Sequence, residues 1–155
     1  DRFITEDLEG GRLPQVIAKG EPTVLVCHWP GIYYNGEELG FKIFQEVVRR
    51  IHARYNNLIW MKLSEIARYW AAKELTQTNK RGNRVMFNAP FSTKWFTVRI
   101  KTDSPKVPKL IVHAHSTPLR RAKGLLQLES GTWHASNQNL TVCFDLPKGT
   151  STLEL

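Results

Sequence analysis

The sequence predicts a mixed protein, with an α/β segment in its first half and an all-β module in its second half. Two changes near the middle of the chain carry this prediction, one in hydrophobic period and one in charge. The chain has 155 residues, of which 41% are hydrophobic and 23% charged, the composition of one or two small folded domains. A disordered chain and a disulfide-stapled scaffold are therefore excluded. No apolar run approaches the roughly 20 residues of a membrane helix, so no membrane partner is expected.

The net charge lies entirely in the second half of the chain. Residues 1–79 hold ten basic and ten acidic residues, whereas residues 80–155 hold twelve basic and four acidic ones, which leaves the net charge of +8 there. Such a shift indicates a change of module and of surface role. The segment between the halves, residues 76–84, is polar and contains Gly82, as boundaries often do. We therefore predict two units, 1–79 and 80–155.

The first half alternates between predicted strands and helices. Residues 23–27 are a continuous apolar and β-branched run, typical of a parallel strand buried on both faces. An apolar stripe of helical period follows over residues 41–55, then a short strand at 58–61 and a second helix from Ser64. Helical crossovers between parallel strands place the loop after Cys27 at the carboxyl edge of the sheet, where α/β folds bind ligands.

The second half consists of short β-rich stretches separated by Pro, Gly, Ser and Asn. Around Phe96, apolar residues alternate with Thr97, Arg99 and Lys101, which predicts an antiparallel strand with one solvated face. Five to seven such strands in about 70 residues make a small antiparallel β-sandwich or open barrel. The predicted strands are 84–87, 96–101, 110–115, 125–128, 140–145 and 152–155.

His28 is the candidate catalytic residue. It falls at the C-terminal tip of the predicted strand 23–27, where such a sheet presents catalytic groups, and an imidazole transfers protons near neutral pH. The alternative is a strand-end histidine bonded to a loop carbonyl. The sequence alone leaves both interpretations open.

Residues 16–75 resemble the C-terminal end of a polysaccharide deacetylase domain, which has a (β/α) barrel-like fold. The resemblance rests on residues 22–28, 41–55 and 60–69, which are similar to a late strand ending in Leu-x-His, a helix, and a last strand leading into a helix. It implies the C-terminal part of a hydrolase that acts on acetylated glycans, with His28 as general acid. The residues implied to line the sugar site are Trp29, Tyr33 and Tyr34.

The sequence departs from this family at the metal ligands. The family's early Asp-Asp motif and His-x-x-x-His pair, which hold a divalent metal such as zinc, have no counterpart here, and Val26 stands where the family has leucine. We therefore expect no cofactor in this chain and no acetyl hydrolysis by the chain alone.

The resemblance also carries expectations about context. It favours a secreted or periplasmic bacterial protein. The chain begins at Asp1 rather than at Met, as expected of a processed product or a piece of a longer protein. Isolated parallel strands leave unpaired edges, so we expect either that residues 1–20 fold back to cover them or that an upstream part of the parent chain or a second copy completes the sheet.

The basic half has two further interpretations. The first alternative function is a non-catalytic carbohydrate-binding module for an anionic glycan, since aromatic rings stack on sugars and Arg or Lys pairs with sulfate or carboxylate. The second alternative, which rests on charge alone, is a nucleic-acid-binding module. A solvated face explains any single basic cluster equally well. The candidate ligand-binding residues are Trp95, Arg120 and Arg121, and the other clustered cations are Lys80, Arg81, Arg84, Lys106, Lys109 and Lys123.

Two residue pairs are expected to be structural. His113 and His115 would face one side of a strand, but two imidazoles do not complete a zinc shell, so we expect exposed strand histidines and no metal site. Cys27 and Cys143 fall in different predicted strands, which favours buried free thiols over a disulfide.

Overall fold

The computed structural model describes residues 3–7, 9–56, 58–102 and 106–155. It divides the chain into two units, Asp1–Leu63 and Ser64–Leu155. Among its described residues the first unit has three helices and no strand. They are α1 Arg12–Lys19, α2 Trp29–Tyr33 and α3 Leu39–Arg54.

Helix α3 forms where the apolar stripe predicts it. The helix ends where the Tyr55 N–H donates to the Ile51 carbonyl at 2.8 Å. Of its apolar residues Ile51 is buried, whereas Phe41 and Phe44 are both exposed. The stripe therefore has the correct period but is covered only near its C-terminal end.

The two strands predicted in the first unit are wrong. Residues 21–28 and 58–62 lie in neither helix nor strand, and Val26 is 86% exposed. A β-branched run forms a strand only where neighbouring strands supply hydrogen-bond partners and a second layer covers it. No described residue of the first unit supplies either, so a barrel-like α/β segment stays a prediction.

The second unit is built from strands, preceded by a fourth helix, α4 Leu63–Leu75. Among the described residues there are nine strands and one 3₁₀ turn. They are β1 Gln77–Arg81, β2 Arg84–Ala89, β3 Thr93–Lys101, β4 Lys109–Val112, β5 His115–Pro118, β6 Arg120–Arg121, the 3₁₀ turn Leu125–Gln127, β7 Thr132–Ser136, β8 Asn139–Leu146 and β9 Gly149–Glu154.

These strands form two sheets in a β-sandwich-like arrangement. One sheet has the order β1-β2-β9-β4-β5 and the other β3-β8-β7-β6. The strand pairs are antiparallel, except that β6 runs parallel to β7. The chain is therefore a mixed α and β protein, with a largely antiparallel second unit as the sequence predicts.

Four of the six predicted strands are confirmed, as β2, β3, β8 and β9. The stretch 125–128 is a 3₁₀ turn instead, and β1 lies across the predicted boundary at residues 79 and 80. All five residues of β1 are exposed. An edge strand without a buried face has no apolar alternation. The sequence of β1 is therefore as polar as a linker, which is why the sequence predicts a boundary there.

The stretch 110–115 is divided by a hairpin turn. His113 and Ala114 have positive φ values of 47° and 66°, which suits the two-residue turn that joins β4 to β5. His115 then opens β5, opposite Val112. The two histidines are exposed as expected, but their predicted placement on one strand face is wrong.

The core of the second unit is an aromatic cluster between the sheets. Phe87 of β2, Phe96 of β3 and Phe144 of β8 contact one another at ring-centroid distances of 5.4 to 6.1 Å. Helix α4 adds Tyr69, whose ring lies 6.1 Å from Phe96, and the fully buried Ala72. The Tyr69 hydroxyl also accepts the Thr97 N–H at 3.4 Å, so α4 covers part of the β3 edge.

Truncation of Phe144 tests this core. Phe144 is fully buried, so Phe144→Ala is expected to lower the free energy of unfolding by about 3–5 kcal/mol. The matched control is Met86→Ala, because Met86 is exposed on the outer face of β2, and its cost is expected to stay below about 1 kcal/mol. Urea unfolding monitored by tryptophan fluorescence measures both, and equal losses in the two variants would contradict this core.

Candidate ligand-binding surface

A β-bulge at the start of β3 places Trp95 on the surface. Thr93 opposes Leu146 and Phe96 opposes Phe144, so two residues of β3 stand opposite the single residue Asp145. Asp145 Oδ1 accepts the Trp95 N–H at 3.1 Å. Trp95 has a φ of 54°, which is rare for a bulky residue, and its side chain is 44% exposed. Bulges commonly redirect a side chain in this way.

Beyond the bulge, β3 presents a polar row on the outer face of its sheet. Arg99 opposes Thr141 and Lys101 opposes Asn139, and both cations are exposed. The alternate residues, among them Ile100, face the core. The solvated face predicted from the alternation is therefore confirmed.

The C-terminal end of β3 borders a basic groove of about 350 Å³. The Lys80 ammonium donates to the Lys101 carbonyl at 3.1 Å, which ties the β1 edge to the end of β3. Within the described part of the chain, Lys80, Lys101 and Lys106 form no ion pair. Three ammonium groups that have no carboxylate partner among the described residues make a positive potential that favours an anion. The groove is lined by Lys80, Gly82, Asn83, Lys101, Thr102, Lys106 and Leu155.

A larger pocket in the first unit, about 600 Å³, contains arginines that are already paired. Arg49 and Arg50 each contact the Glu46 carboxylate at 2.7 Å, and their hydrogen bonds lower the pKa of Glu46 to about 2. Arg54 donates to the Asp7 carbonyl at 2.9 Å. Since its cations are bound by the chain itself, this pocket is a weaker anion site than the basic groove.

The four predicted residues of the first unit lie together on one short segment. His28 precedes α2 as its N-cap and Trp29 opens the helix. The Trp29 and Tyr33 rings are 4.4 Å apart, and Tyr34 follows with a φ of 40°. All four side chains are exposed. Among the described residues, no three His, Cys, Asp or Glu side chains are grouped so that they could hold a metal ion.

Arg120 and Arg121 lie far from Trp95. They form β6, which is separated from β3 by two strands, and three strand spacings amount to about 14 Å. Arg120 pairs with Glu129 at 2.8 Å, and the Arg121 guanidinium lies 5.4 Å from the centre of the Trp133 ring. Both arginines therefore have partners within the chain and lie on a different strand from Trp95, so the three predicted ligand residues form no local cluster.

Grouping the cations by sequence misses the basic groove. In the sequence Lys80 clusters with Arg81 and Arg84, Lys106 clusters with Lys109, and Lys101 belongs to neither cluster, yet the three lysines line one groove. Arg84 instead pairs with Glu154 at 2.9 Å. The alternation of polar residues in β3 already predicts that Lys101 is exposed on the solvated face. That the edges of β1 and β3 lie side by side can be seen only in the fold.

Comparison of the chain with protein-family models, with curated proteins and with solved structures finds no match. No described helix combines the length and the apolar character needed to cross a bilayer.

The two cysteines differ in accessibility. Both are free thiols. Cys143 is buried, and this burial raises the pKa of its thiol. Cys27 is exposed, which corrects the expectation that it is buried, because the segment around it is not part of a sheet.

Thiol labelling distinguishes the two cysteines. Alkylation requires the thiolate, so at neutral pH a maleimide is expected to modify Cys27 in the folded chain and Cys143 only after denaturation. Mass spectrometry counts the adducts. The variant Cys27→Ser is the control and should take up no label while folded. Rapid labelling of this folded variant would show that Cys143 is accessible.

Proposed function

We propose that the second unit is a non-catalytic module that binds an anionic polysaccharide. The basic groove is the observation that carries the proposal, because Lys80, Lys101 and Lys106 are brought together without a carboxylate partner among the described residues. Sulfate and carboxylate groups accept hydrogen bonds from ammonium donors and neutralise their charge.

The charge of the whole unit supports the same proposal. Residues 64–155 carry 14 basic and six acidic residues, whereas residues 1–63 carry eight of each. The field of such a unit attracts a polyanion before any specific contact forms. Single-stranded nucleic acids use several aromatic platforms for successive bases. The described outer face of β3 offers one, Trp95, which favours a polysaccharide.

Removal of two groove lysines tests the proposal. Lys101→Gln with Lys106→Gln is expected to weaken binding on the order of tenfold, because each exposed charge contact contributes about 0.5–1 kcal/mol. The matched control, Lys123→Gln with Lys148→Gln, removes the same charge outside the groove. Native gels cast with a sulfated, a uronic and a neutral polysaccharide measure binding as retardation.

Wild-type protein should be retarded in both anionic gels and released by salt. Unretarded migration in the anionic gels would refute the proposal. Equal loss in both double variants would show that net charge, rather than the groove, governs binding. Stronger binding to a labelled single-stranded DNA would favour a nucleic-acid function instead.

The C-terminal part of a deacetylase-like hydrolase, inactive as this chain alone because it has none of the family's metal ligands, is the second candidate function. It is supported by the clustering of His28 with exposed aromatic side chains at α2, the residues that the family resemblance assigns to proton donation and sugar contact. In this proposal His28 donates a proton to the leaving group, while Trp29 and Tyr33 contact the acetylated sugar.

Binding of an acetylated oligosaccharide at α2 tests this candidate. Tetra-N-acetylchitotetraose is expected to shift the NMR signals of His28, Trp29 and Tyr33, and Trp29→Ala should reduce the affinity on the order of tenfold, as loss of a stacking ring does. Trp70→Ala removes an exposed tryptophan of α4 and is the control. Unchanged signals at α2 with saturating oligosaccharide would rule out a sugar site there.

A further inference from the structure

The geometry points to a ligand path along β3, with an uncharged sugar stacked on Trp95 and acidic groups in the basic groove. This inference rests on the proposed function of the second unit and names its ligand class. We infer that the ligand is a linear glycan in which uncharged and anionic sugars alternate.

Trp95 has an available ring face. Within the described part of the chain, no ring or cation contact involves Trp95. The other four tryptophans each have such a partner, namely Tyr33 for Trp29, His52 for Trp60, Lys73 for Trp70 and Arg121 for Trp133. An exposed indole without an intramolecular partner is free to stack on a sugar ring.

The backbone around Trp95 is fixed by hydrogen bonds. Besides the bond from its N–H to Asp145, its carbonyl accepts the Thr97 hydroxyl at 3.1 Å. A residue in a rare backbone conformation persists only where its surroundings hold it there, and such residues cluster at ligand sites. Because the Trp95 backbone is already held in place, it loses little conformational freedom when a ligand stacks on the ring.

Asp145 determines which sugar fits at this end. One carboxylate oxygen accepts the Trp95 N–H, and the other, which has no hydrogen-bond partner within the described part of the chain, can accept a sugar hydroxyl. Lys94, the other residue of the bulge, is exposed beside Asp145, so the two charges offset each other at a distance, and the Asp145 carboxylate repels an anionic sugar only where the sugar contacts it directly. The Trp95 end therefore selects an uncharged, hydroxyl-bearing sugar, and the basic groove selects an acidic one.

The length of β3 sets the length of the ligand. Trp95 and Lys101 are six residues apart, which corresponds to about 20 Å along a strand. Arg99 lies between them on the same face and provides an intermediate cation. A disaccharide is too short to contact both ends, whereas a hexasaccharide is long enough.

Hyaluronan oligosaccharides, which alternate an uncharged and an anionic sugar, are the test probe. Oligogalacturonate, in which every sugar is anionic, is the comparison probe. By isothermal titration calorimetry on the full chain, the hyaluronan hexasaccharide is expected to bind at least tenfold more tightly than the disaccharide. Trp95→Ala should weaken hexasaccharide binding on the order of tenfold and oligogalacturonate binding by less than about twofold. Trp95→Phe, which keeps a ring, should retain most of the affinity.

Asp145→Asn provides a second readout. The amide oxygen still accepts the Trp95 N–H, but the charge is removed, so oligogalacturonate is expected to bind more tightly to this variant while hyaluronan binding changes little. Circular dichroism verifies that each variant is folded. Trp70→Ala again controls for the loss of an exposed tryptophan.

The outcomes separate this inference from the proposed function. If wild-type protein binds neither oligosaccharide, the proposed function fails. If both bind and the Lys101→Gln, Lys106→Gln variant weakens binding while Trp95→Ala does not, the function stands and the path along β3 is wrong. Tighter binding of single-stranded DNA, weakened by Trp95→Ala, would overturn both.

Discussion

The second unit depends on the burial of β8, whose residues 140–144 are all buried and whose even-numbered residues form the face toward the core. Leu140, Val142, Phe144 and Leu146 are all essentially inaccessible to solvent, and β8 pairs with β3 on one side and β7 on the other. Because side chains alternate along a strand, burial of this face fixes which residues of both neighbours point inward. The aromatic contacts of Phe144 with Phe87 and Phe96 then join the two sheets.

The candidate surface is a consequence of that constraint. Thr93 and Phe96 are both buried, yet they are three residues apart, and simple alternation buries only residues an even number apart. The bulge resolves this conflict by placing two residues opposite Asp145. It leaves Trp95 exposed and restores the alternation that puts Arg99 and Lys101 on the outer face. The same packing that buries the core therefore exposes the proposed ligand path.

The two units differ in how well their apolar residues are covered. In the second unit the inward apolar side chains of β2 and β8 pack into one shared core. In the first unit Val26, Phe41 and Trp29 remain exposed, with Trp29 at 69%. Completion of the first unit by an upstream segment or a second copy, as the family resemblance implies, remains a prediction. The polysaccharide-binding proposal does not require it, because the basic groove is formed within the second unit.

The sequence by itself determined the elements in which an apolar period is clear, but not β7, although β7 buries Thr132 and Trp133. Helix α3 and strands β2, β3, β8 and β9 follow from apolar period, and the solvated row of β3 follows from the same alternation. Strands β1, β5 and β6 have only exposed residues, so no alternation of apolar residues predicts them. Residues 23–27 have the apolar, β-branched pattern of a strand, but no described residue of the first unit pairs with them. Only the tertiary structure decided the bulge at Trp95 and brought Lys80, Lys101 and Lys106 together. The bulge depends on how β3 pairs with β8, and the groove depends on which strand edges lie side by side. A local sequence pattern carries no information about either.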